Sequence, residues 1–339
     1  KRIYYFPILF ILVTGLFSCK KFLTATPADF ASPVANYSTP KQLLEALAGV
    51  YDVLGADTRD MYADKLFNQL GACTDEGFYA RASMVAGPQV YNFDYTNPEI
   101  ASLWLSCYRG IERANNLIAN INVPTAMDDG DRQAILGEAL FLRGFLYFML
   151  VSRWGDVPLR LEPTTATGAS SINVPATPAK EVYAQVLKDM TEALDKCRPA
   201  DFFNYSSRVS KTTVQGILAR VTLTMAGYPL LDKSKYAEAL HWATEVKNSG
   251  LHSLNPSYSQ IFINEAKDIY DVKEAMWEAD FSGNGTDIYK EEGRTGNTSG
   301  IAYSASNYPD TGYSYGFINA TAKLYNLYGE GDLRRDWAI

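Results

Sequence analysis

The chain has 339 residues, of which 47% are hydrophobic, 20% charged and 13% aromatic. That balance supports a large packed core and excludes disorder as the default state. A net charge of −7 offers no basic face to displace counterions from a phosphate backbone, which excludes nucleic acid as a partner class.

At the start of the chain, Lys1 and Arg2 precede residues 3–17, an uncharged and mostly apolar run interrupted by Pro7 and Gly15. The run is shorter than the roughly 20 apolar residues of a spanning helix and suits the hydrophobic region of a signal peptide. It ends in Leu16-Phe17-Ser18-Cys19, which resembles the bacterial lipobox, where a signal peptidase cuts before a cysteine that carries diacylglycerol. Residues 1–18 are therefore expected to be a lipoprotein signal peptide, with Cys19 lipidated; the alternative is an ordinary signal peptide with an incidental cysteine. Acyl chains on Cys19 would hold the mature chain to a membrane by ~0.8 kcal/mol per buried methylene. Residues 19–40, rich in Pro, Ala, Ser and Thr, read as a lipid-anchored linker. Cys73, Cys107 and Cys197 remain. They form no C-x-x-C pair and no Cys/His cluster, so they read as small buried apolar residues rather than zinc ligands.

A helix is predicted from the Thr39-Pro40 cap through "KQLLEALAGVYDVL", with Leu43, Leu44, Leu47 and Val50 on one face. Residues 71–98 hold aromatics, Gly and Pro without a helical period and read as a long functional loop. Helices are then predicted over 98–122, 131–155, 179–196, 211–226 and 234–249. The second of these is apolar almost all round, which suits a central position, and Arg143 within it argues against a membrane span. The stretch "VQGILARVTLTMAGYPLLDKSKYAEALHWATEV" reads as two helices joined by a short turn. It resembles a tetratricopeptide-type hairpin, which buries its faces by stacking on neighbours. Residues 281–316 are Gly/Tyr/Ser/Asn-rich and aperiodic, a second loop insertion. The closing "GDLRRDWAI" reads as the opening of a strand, and the chain as a fragment at both ends. The fold class expected is all-α dominated, with one helical-repeat domain over 41–339, truncated, and long irregular ligand-binding loops at 71–98 and 281–316.

No H-E-x-x-H, G-x-S-x-G or P-loop is present, and His241 and His252 lack metal-ligand spacing. Asp128, Asp129 and Asp131 lack the EF-hand spacing and read as helix capping. Asp75-Glu76 and Glu291-Glu292 could serve glycoside hydrolysis only across a cleft, at roughly 5–9.5 Å. No catalytic residue, metal or cofactor is therefore expected. Recognition remains. Tyr79, Tyr91, Phe93 and Tyr95 in the first loop, and Tyr303, Tyr308, Tyr313 and Tyr315 in the second, offer flat rings that stack on sugar faces. The competing reading is that these rings pack their own loops against the helical body.

Motifs along the whole chain resemble the SusD/RagB family of Bacteroidetes outer-membrane lipoproteins. They are "CKKFLTATP", "ALAGVYDVL", "ACTDE", "LWLSCYRGIERANNLIANI", "GEALFLRGFLYFMLVSRWGDVPL", "ILARVTLTMAG" and "GDLRRDWA". Residues 137–159 carry the most specific match, to E-A-x-F-L-R-A-x-x-Y-F-x-L-x-x-x-F-G-D-V-P-L. Gly144 and Trp154 stand there in place of the commoner Ala and Phe, and Lys20 and Lys21 stand where acidic residues often follow the lipid cysteine. The resemblance implies a tetratricopeptide-like scaffold on the outer face of the outer membrane that binds oligosaccharides and caps a SusC-like TonB-dependent transporter, without catalysis. It also implies ligand contacts at Asp75, Arg81, Tyr95 and Asn97, then at the second-loop tyrosines Tyr303, Tyr308 and Tyr313; Tyr91 joins the candidate set from the aromatic reading of the first loop. Peptides, as in the RagB branch, are the alternative ligand, and a lipid-anchored glycosidase is the remaining one.

Overall fold

The computed structural model describes residues 36–55, 61–70, 74–164, 173–281, 293, 295–299, 301–303 and 314–338. The expected signal peptide, Cys19 and the linker to residue 35 lie outside the described residues, as do Cys73, Glu291, Glu292, Tyr308 and Tyr313.

Helix α1 (Pro40–Asp52) opens on a reciprocal cap. The Thr39 side chain accepts from the Gln42 amide, and the Gln42 side chain accepts from the Thr39 amide. It buries Leu43, Leu47 and Val50, while Leu44, expected on the same face, turns outward and is 46% exposed. After the short strand β1 (Gly77–Tyr79) come α2 (Pro98–Asn120), α3 (Asp129–Trp154), α4 (Ala179–Leu194), α5 (Lys211–Ala226) and α6 (Lys235–Asn248). The long helices therefore begin and end within about two residues of their predicted bounds. Asp128 caps α3 by accepting from the Asp131 amide, in line with the capping reading of that acidic run.

From α1 to α6, each of these helices packs on the next. Shorter elements follow: α7 (Tyr258–Ala266), α8 (Thr295–Ser299), β2 (Ile318–Ala320), α9 (Ala322–Leu327) and α10 (Leu333–Ala338). The strand expected at the end of the chain is thus a helix. Asp332 accepts from the Arg334 amide just ahead of it, an N-terminal cap that the strand reading overlooked.

The core is organised around α3. Among the described residues it is the one helix long and apolar enough to cross a membrane, and 94% of its apolar window is buried inside the protein. Two charged residues of this helix are buried, Glu138 at 1% and Arg143 at 7% exposure. Arg143 makes a two-pronged contact with Asp189 on α4, at 2.8 Å on each prong, and donates to the Asn115 side chain on α2 at 2.9 Å. Glu138 takes the Arg208 fork and the Tyr51 hydroxyl, and that hydroxyl accepts from the Val209 amide at 2.9 Å. Each charge thereby ties α3 to two other segments. Gly144, in the position where Ala is commoner, lets α4 come close; a Cβ there would lie 3.3 Å from the Asp189 Cβ and the Val186 carbonyl oxygen. Cys107 and Cys197 are buried and unbridged, as read.

Burial pushes the hydroxyls of Tyr51, Tyr108 and Tyr147 upward, Tyr147 to about 12. An unfolded tyrosine ionises near ~10, so the neutral rings stabilise the fold fully below that pH. This contribution is lost as pH rises through about 12. The urea midpoint is expected to fall between about pH 8 and about pH 11, and an unchanged midpoint would count against the burial argument.

Candidate ligand-binding face

Strand β1 belongs to the first predicted loop, and its partner β2 follows the second. They pair antiparallel, with Gly77 opposite Ala320, Phe78 opposite Asn319 and Tyr79 opposite Ile318. The join is reinforced around the strands. The Thr321 amide donates to the Glu76 carbonyl at 2.8 Å, the Thr321 hydroxyl to the Asp75 carbonyl at 2.7 Å, and the Ala80 amide to the Phe317 carbonyl at 2.6 Å. Lys323 Nζ meets Asp75 Oδ2 at 2.6 Å.

Side chains two residues apart on an extended chain share a side, so Tyr79 and Arg81 can join Tyr315 and Phe317 in one patch. The Tyr315 ring stacks on Phe317 at 4.9 Å and an interplanar angle of 10°. The Tyr79 ring lies 5.4 Å from Phe317, and the Arg81 guanidinium carbon sits 5.3 Å from the centre of the same ring. Arg81 Nε donates to the Ser83 hydroxyl at 3.1 Å, which steadies the guanidinium. Burial raises the Tyr79 hydroxyl above its ordinary value. The result is an aromatic platform flanked by one guanidinium, with the Asp75–Lys323 pair at the other end of the ribbon.

Of the expected contact residues, Arg81 is brought to this platform, and Asp75 is held at the opposite end of the same two-stranded ribbon. The Lys323 hydrogen bond holds the Asp75 carboxyl below its ordinary range, so it stays ionised near neutrality and is unsuited to protonating a leaving group. Tyr95, 92% exposed, stands on a turn closed by the Asn97 amide donating to the Asp94 carbonyl, and Tyr91, 70% exposed, ends the adjoining turn that packs against β1. That turn is braced by paired backbone bonds between Gly87 and Asn92 and by Asn92 Nδ2 donating to the Val85 carbonyl at 2.7 Å. Tyr91 holds a left-handed φ of 56°, uncommon for a bulky residue. The Asn97 side-chain oxygen caps α2, accepting from the amides of Glu99 and Ile100. The Tyr303 amide donates to the Ser314 carbonyl at 3.0 Å, one residue before Tyr315, and its ring is partly exposed.

Sequence reasoning passed over Phe317, the ring at the centre, and Lys323. The alternation Tyr313, Tyr315, Phe317 in "GYSYGFINA" was the available sign, since a period of two marks a strand.

The family described as "Starch-binding associating with outer membrane", SusD-like, matches residues 22–223, more than half of the chain. The chain belongs to the SusD-like family. A curated relative, SusD-like protein P2 of Formosa agariphila, is 25% identical over 334 residues, covering 96% of this chain and 62% of the relative. A SusD homolog from Bacteroides thetaiotaomicron has a similar solved structure, with a TM-score of 0.76 at 24% identity over 87% of this chain and 56% of that one. Surface glycan-binding protein A from the same organism, solved in complex with laminarihexaose, gives a TM-score of 0.69 at 20% identity, over 88% of this chain and 62% of that one. The chain thus spans less than two thirds of the length of each, and the solved SusD-like structures share its helix-dominated fold.

Proposed function

We propose that this protein is a surface glycan-binding lipoprotein, anchored through Cys19 to the outer membrane, whose task is capture rather than catalysis. It captures oligosaccharides at the outer face and delivers them to a SusC-like TonB-dependent transporter. The observation that carries the reading is the platform of Tyr79, Tyr315 and Phe317 beside Arg81, assembled by β1 and β2 from the two loops. Flat rings take the C–H faces of a sugar, while Arg81, Asp75 and Lys323 supply donors and acceptors for its hydroxyls. Tyr91, Tyr95 and Tyr303 extend that surface, and Tyr308 and Tyr313, outside the described residues, are proposed as further contacts. The solved relative with laminarihexaose supports a glycan as the ligand class.

Purified protein is expected to be retarded in gels containing one of a panel of polysaccharides, laminarin and starch included, without releasing product. Tyr315→Ala or Phe317→Ala is expected to weaken that binding roughly tenfold, the equivalent of one lost stacking contact of about 1.4 kcal/mol. Retardation by none of the panel, or product formation by clean protein, would overturn the reading.

A further inference from the structure

A second concave region shares no lining residue with the platform. Leu44, Ala48, Tyr51 and Leu54 from α1 and its end, with Phe281, line a cavity of about 590 Å³. Residues Glu278, Ala279, Asp280 and Phe281 line this cavity and a neighbouring one of about 480 Å³, so the two form one groove. The second cavity is lined by six carboxylates, those of Glu265, Asp268, Asp271, Glu274, Glu278 and Asp280.

Charge is handled differently here from the core, where Asp189 and Glu138 each meet an arginine fork. None of the six is ion-paired with Lys or Arg among the described residues. Their hydrogen-bond donors are neutral. Ser206 donates to Glu278 at 2.7 Å, Tyr270 to Asp280 at 2.6 Å and Asn255 to Asp271 at 2.8 Å. Arg208, on the apolar wall, is already spent on Glu138. The crowding is felt by the groups themselves: burial and the neighbouring Glu278 push the Glu265 carboxyl up, and the Asp280 hydrogen bond, then burial, push the Tyr270 hydroxyl to about 12. Trp277 also lines this cavity, with its ring edge-on to Phe141 and Phe145 of the core.

We propose that this groove docks a cationic segment of a partner polypeptide, its Lys or Arg side chains against the six carboxylates and its apolar side chains in the α1 cavity. A polypeptide supplies cations and apolar side chains within one chain. A neutral sugar would leave the carboxylates unneutralised and set hydroxyls against leucines. A metal ion would leave the apolar cavity empty, and among the described residues no group of three or more His, Cys, Asp or Glu is arranged to hold one. The inference stands apart from the glycan reading, because it uses none of the platform residues.

The probe is a synthetic heptapeptide alternating lysine with leucine and phenylalanine, titrated calorimetrically at about 50 mM and about 500 mM NaCl. Binding is expected at low salt and at least roughly tenfold weaker at high salt. The triple variant Glu274→Gln, Glu278→Gln, Asp280→Asn should weaken low-salt binding roughly tenfold or more. An equal charge change at the exposed Glu181, Glu192 and Glu330 should leave it within about twofold. Absence of binding, or equal loss in both triple variants, overturns the proposal. Self-association in sedimentation equilibrium that excludes the peptide would also overturn it, by assigning the groove to a second copy.

Discussion

Replacing Arg143 by methionine is expected to destabilise the protein by about 3–5 kcal/mol, enough to unfold many domains of marginal stability. The loss comes from what is left behind. Asp189 would be left almost wholly buried, facing the Gln185 amide alone among its present side-chain partners. The Asn115 side chain and the Leu161 carbonyl would each lose a donor as well. Adding Asp189→Leu should recover most of the loss, because removing both charges avoids the uncompensated one, and such exchanges are often neutral or stabilising. Urea denaturation of the single and double variants measures both. A single-variant loss below about 1 kcal/mol would mean that water reaches Asp189, and would remove this pair from the account of the core.

The second large effect is expected at Arg208. Arg208→Met strands Glu138, which is less exposed than its partner, and leaves it the Tyr51 hydroxyl as a donor. The arginine side chain is 28% exposed, so water can enter as it leaves, and the expected cost is about 2–4 kcal/mol, below that of Arg143. Tyr51→Phe separates the remaining piece. It removes a donor to Glu138 and an acceptor for the Val209 amide, at an expected cost of about 1–3 kcal/mol. Because Tyr51 and Arg208 share Glu138, the two losses are expected not to add, and a double-mutant cycle reads the coupling directly. Strict additivity would show that the three groups do not act as one network.

How far the fold was legible depended on how local its signals were. Thr39 with Pro40, Asp128 and Ser210 each cap a helix through contacts within three residues, and those starts can be read directly. The outward turn of Leu44 was not, because Leu43 and Leu44 are neighbours on the helix and only one of them can face the core squarely. Arg143 was visible as an oddity in an apolar helix, but Asp189 lies 46 residues away and no local pattern names it. The face of the molecule was harder still. Strands of three residues carry too short a period to announce themselves, and the pairing of β1 with β2 is entirely non-local. Asp75 and Arg81 were named as candidates through motif resemblance, whereas Phe317 had no motif to point to it.

The pairing of residues 77–79 with residues 318–320 also sets an order of events. The packing of α1 through α6 uses chain no later than residue 248, so the helical body can form from contacts between successive elements. The aromatic platform waits for a strand about 240 positions downstream, a loop closure that local contacts cannot repay in advance. During synthesis the body therefore precedes the face. A chain cut between residues 249 and 314 would keep the six long helices and lose the platform outright.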